Sequence, residues 1–320
     1  MSSGDTKRIS VLVPSYNHAK FVAKSLRSII GQTHSPSELL VIDDGSSDRS
    51  PDVISEVLKD CPFPSELIVN KNKGLCATLN EGLNRTAGEY FAYLGSDDLW
   101  LPEFLANRFS LLESRSKAVL AYGNGYLIDD EDRIFENSAD WRGFTFPDGD
   151  PRPMLYLGTA PISSTVVYRR SALEKRGWNE EARLEDYELY LQLAEDGEFA
   201  FDPRVLAAWR RHDTNTSRDL DFMLAECLAA QKRVAAKLGW GEGKLGQINR
   251  QTRFFFSEEY GRAGEKGRSL SLLLSNLRGA PSIRLMLRAV VRSFIPSAIL
   301  EKRKIGVRAR NNEQYGSVRL

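Results

Sequence analysis

The chain has 320 residues, a mass of 36.0 kDa and a formal net charge of +1, with 42% hydrophobic and 27% charged residues. These values are typical of a globular protein with one large domain or two modest ones, and they exclude a small disulfide-stabilised peptide. No run in the sequence approaches the roughly 18 apolar residues that a membrane-spanning helix requires.

Strands and helices alternate through the first hundred residues, as β-rich runs and apolar residues at helical spacing indicate. In chain order the predicted elements are a strand at 9–14, a helix at 19–30, a strand at 38–42, a helix at 51–58, a strand at 66–69, a helix at 74–85 and a strand at 90–94. This alternation predicts an α/β fold with a doubly wound, mostly parallel sheet.

The pattern changes after residue 100. The predicted elements there are a helix at 102–114, a β-hairpin formed by 118–129 and 133–135, a loop at 146–153, a strand at 164–168, a helix at 186–195 and a strand pair at 199–201 and 205–211. One continuous domain over residues 1–217 is therefore predicted, followed by a helical region over 218–320.

Charge is distributed unevenly along the chain. Residues 261–320 hold 13 Lys or Arg and 3 acids, whereas residues 1–260 hold 31 and 40. In this basic tail Arg284, Arg288 and Arg292 recur every four residues beside apolar residues, and a cationic amphipathic helix favours an anionic membrane surface as partner. A basic helix packed on the acidic body is the alternative. Nucleic-acid binding is disfavoured because aromatic residues do not interleave the charges.

The cysteines and the first residues bear on the compartment. Cys61, Cys76 and Cys227 are an odd number at spacings that match neither a zinc site nor a redox pair, which favours reduced thiols. Residues 1–7 contain no apolar stretch typical of a secretory signal. We therefore predict a cytoplasmic protein, attached peripherally to the cytoplasmic face of a membrane if the basic tail binds lipid.

Unusually polar loops follow four of the predicted strands. They lie at 14–18, 43–48, 70–74 and 95–98. Open α/β sheets bind their ligands at the carboxyl ends of parallel strands. Two of the loops carry acidic pairs, Asp43 with Asp44 and Asp97 with Asp98, which would repel one another unless a cation lay between them. Mg²⁺ or Mn²⁺ takes such carboxylates together with phosphate oxygens, so the loops predict a metal-bound phosphate ligand.

Other features limit the alternatives. Asp48 and Ser50 suit N-cap positions, so the acidic loop at 43–48 could by itself be a helix cap. No G-x-G-x-x-G follows the first strand and no P-loop motif occurs, which argues against a dinucleotide-dependent dehydrogenase and a P-loop NTPase. Tyr16 offers a flat face for a nucleobase.

Eight segments carry a resemblance to a known family. They read VLVPSYN at 11–17, SIIGQT at 28–33, VIDDGSSD at 41–48, NKGL at 72–75, GEY at 88–90, SDDLWLP at 96–102, EDYEL at 185–189 and WRRH at 209–212. Together and in this order they resemble the GT-A fold glycosyltransferases of sequence family 2, of the bacterial polysaccharide or lipopolysaccharide type. The likeness covers about residues 8–217.

The resemblance implies a donor site. Tyr16 and Asp44 would hold the nucleobase, with Pro14 and Asp43 alongside. The complete set of residues predicted to bind the nucleotide sugar is Pro14, Ser15, Tyr16, Asn17, Asp43, Asp44, Asn72, Gly74, Ser96, Asp97, Arg210 and His212. Mg²⁺ or Mn²⁺ would be held by Asp97 and Asp98, with Gly95 standing where many relatives have the first aspartate of a D-x-D motif.

The resemblance also implies a catalytic pair and a leaving-group site. Asp186 would be the catalytic base, with Glu185 beside it, although both also suit the first turn of a surface helix. Arg210 and His212 would neutralise the departing diphosphate, with a solvated basic strand end as the alternative. The remaining histidines, His18 and His34, are interpreted as incidental.

The function predicted from these residues is an inverting, metal-dependent glycosyltransferase, with a hexose as the favoured sugar. It would move the sugar from a nucleotide-diphosphate donor, with UDP favoured, to a hydroxyl of a glycan or lipid-linked acceptor. Residues 1–100 would bind the nucleotide sugar and 101–217 the acceptor. Two alternatives stay open. A sugar nucleotidyltransferase would need a glycine- and arginine-rich loop at 14–17, and Gly95 makes a non-catalytic nucleotide-sugar binding module conceivable.

Overall fold

One sheet of nine strands organises the described part of the chain, residues 8–141, 146–211 and 219–318 of a computed structural model. The strands are β1 (Ile9–Ser15), β2 (Glu38–Asp43), β3 (Ser65–Val69), β4 (Tyr90–Tyr93), β5 (Leu99–Trp100), β6 (Ala118–Ile128), β7 (Ile134–Asn137), β8 (Val167–Arg169) and β9 (Glu198–Arg210). Their order is β3-β2-β1-β4-β8-β6-β9-β5, with β7 paired to β6 beside this path.

Most residue pairs in the sheet are parallel. The pairings β1–β2, β1–β4, β2–β3 and β6–β9 are parallel, whereas β8, β5 and β7 pair antiparallel with their neighbours. The predicted hairpin is present as β6 and β7. The α/β fold with a doubly wound, mostly parallel sheet is confirmed.

The predicted strand pair near the end of the sheet is wrong. Residues 198–210 form the single strand β9, which pairs with β6 along its length. The register shifts where Gly123 pairs with Asp202 and Asn124 with Val205, so two residues of β9, including Pro203, are left over. The sequence suggested a break because proline usually ends a strand. A bulge accommodates Pro203, so the strand continues.

Helices cover the sheet and continue beyond it. They are α1 (Val22–Ile30), α2 (Ser50–Leu58), α3 (Leu75–Arg85), α4 (Phe104–Ser114), α5 (Arg152–Leu155), α6 (Arg170–Arg176), α7 (Glu185–Leu193), α8 (Leu220–Leu238), α9 (Glu242–Arg262), α10 (Lys266–Ser275), α11 (Ile283–Ser293) and α12 (Ser297–Tyr315). Among the described helices, none has the length and apolar character needed to cross a membrane.

Two apolar cores follow from the alternation of side chains along the strands. Val11, Val13 and Val41 pack with α1, α2 and α4 on one face of the sheet. Leu12 and Leu40 point to the opposite face, where α3 and α7 cover them. Because both faces are covered, the strand ends at the carboxyl edge are the part of the sheet left open to a ligand.

Candidate active site

The polar loops predicted from the sequence meet in one cleft of about 3160 Å³. Of the predicted site residues, those that line it are Pro14, Ser15, Tyr16, Asn17, Asp44, Asn72, Gly74, Ser96, Asp97, Asp98, Glu185 and Asp186. Asp43 and Arg210 lie behind this surface, and His212 lies outside the described residues. The structure therefore brings together residues from the loops after β1, β2, β3 and β4 and from the start of helix α7.

The first two loops hold each other in place. Asn17 adopts a positive φ of 56°, and its Oδ1 accepts the Ser47 backbone N–H at 2.8 Å. The Ser46 hydroxyl accepts the Asn17 backbone N–H at 2.8 Å and donates to Asp43 Oδ2 at 2.6 Å. Asp43 Oδ1 also accepts the Ser46 backbone N–H at 2.8 Å, and the Asp43 side chain is fully buried. Asp43 thus shapes the second loop from behind the cleft.

Asp44 joins the second loop to the third. Its Oδ1 accepts the Lys73 backbone N–H and its Oδ2 the Gly74 backbone N–H, each at 2.9 Å. The approach is close because Gly45 adopts a φ of 79°, and a Cβ there would lie 2.8 Å from the Asn72 backbone nitrogen. Tyr16 follows β1 directly, and 49% of its surface is exposed. An aromatic face and an ordered carboxylate therefore line the same part of the cleft.

The acidic loop (residues 95–98) carries two nearly buried carboxylates. Asp98 Oδ1 accepts the Arg210 backbone N–H at 2.8 Å. Burial raises the pKa of the Asp98 carboxyl well above its usual range, and the charge of Asp97 raises it further. A Cβ on Gly95 would lie 3.0 Å from Asp97 Oδ1 and 3.4 Å from Asp98 Oδ2. Both carboxylates therefore surround the position where a longer side chain at residue 95 would begin.

His18 is a functional candidate that the sequence interpretation missed. Its Nδ1 lies 2.8 Å from the Ser96 hydroxyl and 3.8 Å from Asp97 Oδ1. The available signal was its position as the last residue of the first polar loop. His18 therefore links the first loop to the acidic loop.

Arg210 supports the acidic loop from inside the protein. Its fully buried guanidinium donates from Nε to the Asp97 carbonyl at 2.8 Å and from Nη2 to Asp132 Oδ1 at 2.5 Å. It also bonds the Asp129 carbonyl and lies 4.6 Å from the centre of the Phe21 ring. Because these contacts are with the protein and Arg210 does not line the cleft, the structure places it as a support of the loop.

The acidic loop offers two carboxylates to the predicted metal ion. Among the described residues, no group of three His, Cys, Asp or Glu side chains is arranged to hold a metal ion. Mg²⁺ commonly binds through one or two carboxylates, with substrate phosphates and water completing its shell. Asp97 and Asp98 are compatible with that mode, in which phosphate oxygens of the substrate supply further ligands to the metal.

Glu185 and Asp186 occupy the first turn of α7 and line the same cleft. Burial raises the pKa of both carboxyls, and the charge of Glu185 raises the pKa of Asp186 further. Helix α7 is fixed from behind, because the Tyr187 hydroxyl donates to the Leu155 carbonyl at 2.7 Å. A carboxylate with a raised pKa at a fixed position is a stronger base than an exposed one.

A family model described as "Glycosyl transferase family 2" matches residues 10–177, which hold the first four polar loops. The chain belongs to this family. An uncharacterized glycosyltransferase of Nostoc sp. is 32% identical to this chain over 171 residues, 52% of each chain. The chain thus spans about half the length of that relative.

Solved structures show the same fold. Staphylococcus aureus TarS 1-349, in complex with UDP-GlcNAc, has a TM-score of 0.60 at 16% identity, covering 96% of this chain and 91% of its own. The mannosyltransferase PcManGT of Pyrobaculum calidifontis, in complex with GDP-Man and Mn²⁺, has a TM-score of 0.59 at 16% identity, covering 96% and 87%. This family 2 member therefore has the GT-A fold predicted from its motifs.

Proposed function

We propose that this transferase moves a sugar, most simply a hexose, from a UDP-sugar to a hydroxyl of a glycan or lipid-linked acceptor, with inversion. The observation that carries the proposal is the presence of Asp97 and Asp186 in one cleft, on separate elements. A leaving-group site and a base are the two parts that a direct displacement needs. The protein neighbours support a nucleotide-sugar donor, because TarS binds UDP-GlcNAc and PcManGT binds GDP-Man.

In this proposal the donor lies along the carboxyl ends of β1, β2 and β4. Tyr16 stacks on the nucleobase. Asp44, together with the backbone that it orders, contacts the nucleobase or the ribose. Pro14, Ser15, Asn17, Asn72, Gly74 and Ser96 shape the rest of the donor site, while Asp43 orders the second loop. UDP is favoured because Tyr16 and Asp44 resemble a uracil site.

Asp97, with Asp98 beside it, would hold Mg²⁺ or Mn²⁺ against the donor diphosphate, as the Mn²⁺ complex of PcManGT suggests. The ion, when bound, stabilises the negative charge that develops on the leaving diphosphate. Arg210 keeps the Asp97 backbone in place for this contact. His212 is proposed to contact the diphosphate.

Asp186 is proposed as the base, with Glu185 setting its pKa. It accepts the proton of the acceptor hydroxyl while that oxygen forms a bond to the anomeric carbon. The bond from the anomeric carbon to the diphosphate oxygen breaks, and the nucleotide diphosphate leaves. A single displacement of this kind inverts the anomeric configuration.

The chain is proposed to be cytoplasmic, with a catalytic unit at 1–217 and a helical, basic region at 218–320. Its three cysteines are free, and Cys76 and Cys227 are buried, as expected of structural thiols in a reducing compartment. The acidic residues predicted for the site favour an enzyme over a binding module, since Asp97, Asp98, Glu185 and Asp186 are all present.

A thermal-shift panel of nucleotide sugars, with and without Mn²⁺, tests the donor assignment. A cognate donor at about 100 times its dissociation constant stabilises the fold by roughly 2.7 kcal/mol. We expect a UDP-sugar to raise the melting temperature only with Mn²⁺, and to release UDP when an acceptor is added. If no nucleotide sugar raised the melting temperature, the proposal would be contradicted. If only a GDP-sugar raised it, the nucleobase of the donor would be guanine and not uracil.

A further inference from the structure

Helix α11 presents its apolar side chains to solvent. Ile283, Leu287, Val291 and Phe294, here called the docking face, recur at helical spacing and are 74%, 56%, 65% and 76% exposed. In a globular protein such a stripe normally faces the core. Helix α1 has the same spacing, and its Val22, Leu26 and Ile29 are completely buried.

The opposite side of α11 anchors it to the protein. Ala289 is buried in a small cluster with Phe254 of α9 and Leu273 of α10. Arg292 lies 3.7 Å from Glu258 of α9. The helix is thus held by a small residue and an ion pair, while its larger apolar surface faces outward.

Positive charge borders the docking face. Arg284 and Arg288 of α11, with Lys302 and Arg303 of α12, form no ion pair with any residue in the described part of the chain. The sequence from Lys266 to Leu300 contains no Asp or Glu. Unpaired cations beside exposed apolar residues complement an anionic lipid surface, which offers both phosphates and a hydrocarbon layer.

The same helices form one wall of the active-site cleft. Leu287, Arg288, Val291, Lys302 and Arg303 line the cleft together with the acidic loop and the start of α7. A surface that contacts the docking face would therefore lie at the mouth of the site.

We propose that α11 and the beginning of α12 lie on an anionic bilayer, with the docking face in the boundary between headgroups and acyl chains. The cleft then opens toward the lipid surface, so the acceptor is a membrane lipid or a glycan carried by one. This last clause rests on the proposed function, whereas the docking itself does not. A bilayer is favoured over a second protein because the cations around the apolar stripe lack acidic partners.

Flotation with vesicles tests the docking. Vesicles of phosphatidylcholine with phosphatidylglycerol, and vesicles of phosphatidylcholine alone, are mixed with the full chain at low salt and at about 0.5 M salt. We expect the chain to float with the anionic vesicles at low salt and to be largely released by high salt, because the Debye length shortens to a few Å. A chain that stays at the bottom with both vesicle types overturns the proposal.

Two variants separate the apolar and the charged contributions. Replacing Ile283, Leu287, Val291 and Phe294 together by Ser removes the docking face without removing a buried side chain, and should abolish flotation. Arg284→Glu with Arg288→Glu should weaken vesicle binding at least about tenfold. Arg49→Glu with Lys59→Glu, at the two residues that flank α2, makes the same charge change at exposed positions away from α11 and should leave binding unchanged. Equal flotation of the serine variant and the native chain would overturn the assignment.

Sedimentation velocity without lipid identifies the competing occupant. A dimer that the serine substitutions convert to a monomer would assign the docking face to a second copy of the chain and overturn the membrane proposal. UDP binding is measured on the same samples by calorimetry. If the native chain binds UDP but does not float, the docking alone is contradicted, whereas a native chain that floats without binding nucleotide contradicts the proposed function alone.

Discussion

The guanidinium of Arg210 donates to the backbone carbonyl of Asp97 at 2.8 Å, although the two residues are 113 positions apart in the sequence. The same Arg210 is bound on its other side to Asp132 of the β6–β7 turn, a non-glycine residue with a φ of 64°. Lys24 of α1 also pairs with Asp132. Arg210, which holds the acidic loop, therefore belongs to a network of charged groups from three separate segments.

Arg210→Lys is expected to cost stability and metal affinity together. A lysine cannot reproduce the forked contacts, and breaking a buried ion pair costs about 3–5 kcal/mol. Chemical denaturation measures the first effect, and Mn²⁺ titration of UDP binding the second. Arg133→Lys, in an exposed pair with Asp129 of the same turn, should change stability by less than about 1 kcal/mol. Unchanged Mn²⁺ affinity in a folded Arg210→Lys protein would leave Arg210 with a structural role only.

Asp97→Ala should abolish Mn²⁺-dependent UDP binding in calorimetry. The reason is that Asp97 is the proposed metal ligand, whereas Asp98 Oδ1 already accepts the Arg210 backbone N–H. The far-UV circular dichroism should not change, and Asp52→Ala, an exposed substitution on α2, serves as the control. Full-strength UDP binding of the native chain in the presence of a chelator would contradict the metal assignment.

Gly95→Ala should weaken the apparent Mn²⁺ affinity several-fold, because the new Cβ meets Asp97 Oδ1 at 3.0 Å and forces that carboxylate to move. Gly241→Ala is the matched control, since a Cβ there meets nothing within 4 Å. Mn²⁺ titration of both variants reads the difference. A stronger Mn²⁺ affinity in Gly95→Ala would show that the present geometry is not the metal-binding one.

Asp186→Asn should lower turnover by about a hundred- to ten-thousand-fold while leaving donor affinity nearly intact. The amide keeps the shape of the side chain but cannot accept the proton. Turnover is measured as UDP release, and donor affinity by calorimetry. An unimpaired variant would move the base to Glu185, and a loss of donor binding would indicate a structural role instead.

The raised pKa of Asp186 sets the direction of the pH profile. The base works only when deprotonated, so kcat/KM should fall as pH drops through a pKa above the usual aspartate range. Glu185→Gln removes the negative charge that helps to raise this pKa, and the acidic limb should move to lower pH. A limb that stays in place in Glu185→Gln would show that the charge of Glu185 does not act on the base.

Sequence motifs and periodicity were sufficient to predict the elements around the candidate site. The alternation of strands and helices predicted the doubly wound sheet, because burial on both faces imposes apolar strands separated by amphipathic helices. The polar loops were recognisable because a loop that carries ligands interrupts that apolar pattern. What local pattern could not give was the continuity of β9, since only pairing with β6 carries the strand through Pro203.

The amino-acid sequence by itself determined the family, the fold class and which loops are unusually polar, since these depend on residue types at short spacing. Tertiary structure alone decided which carboxylates face the cleft: Asp43 and Asp44 are neighbours in the chain, yet Asp43 is buried in the protein and Asp44 lines the cleft. It also decided that Arg210 is buried behind the acidic loop and that α11 turns its apolar face outward. Burial and charge pairing depend on residues distant in the sequence, and no local pattern records them.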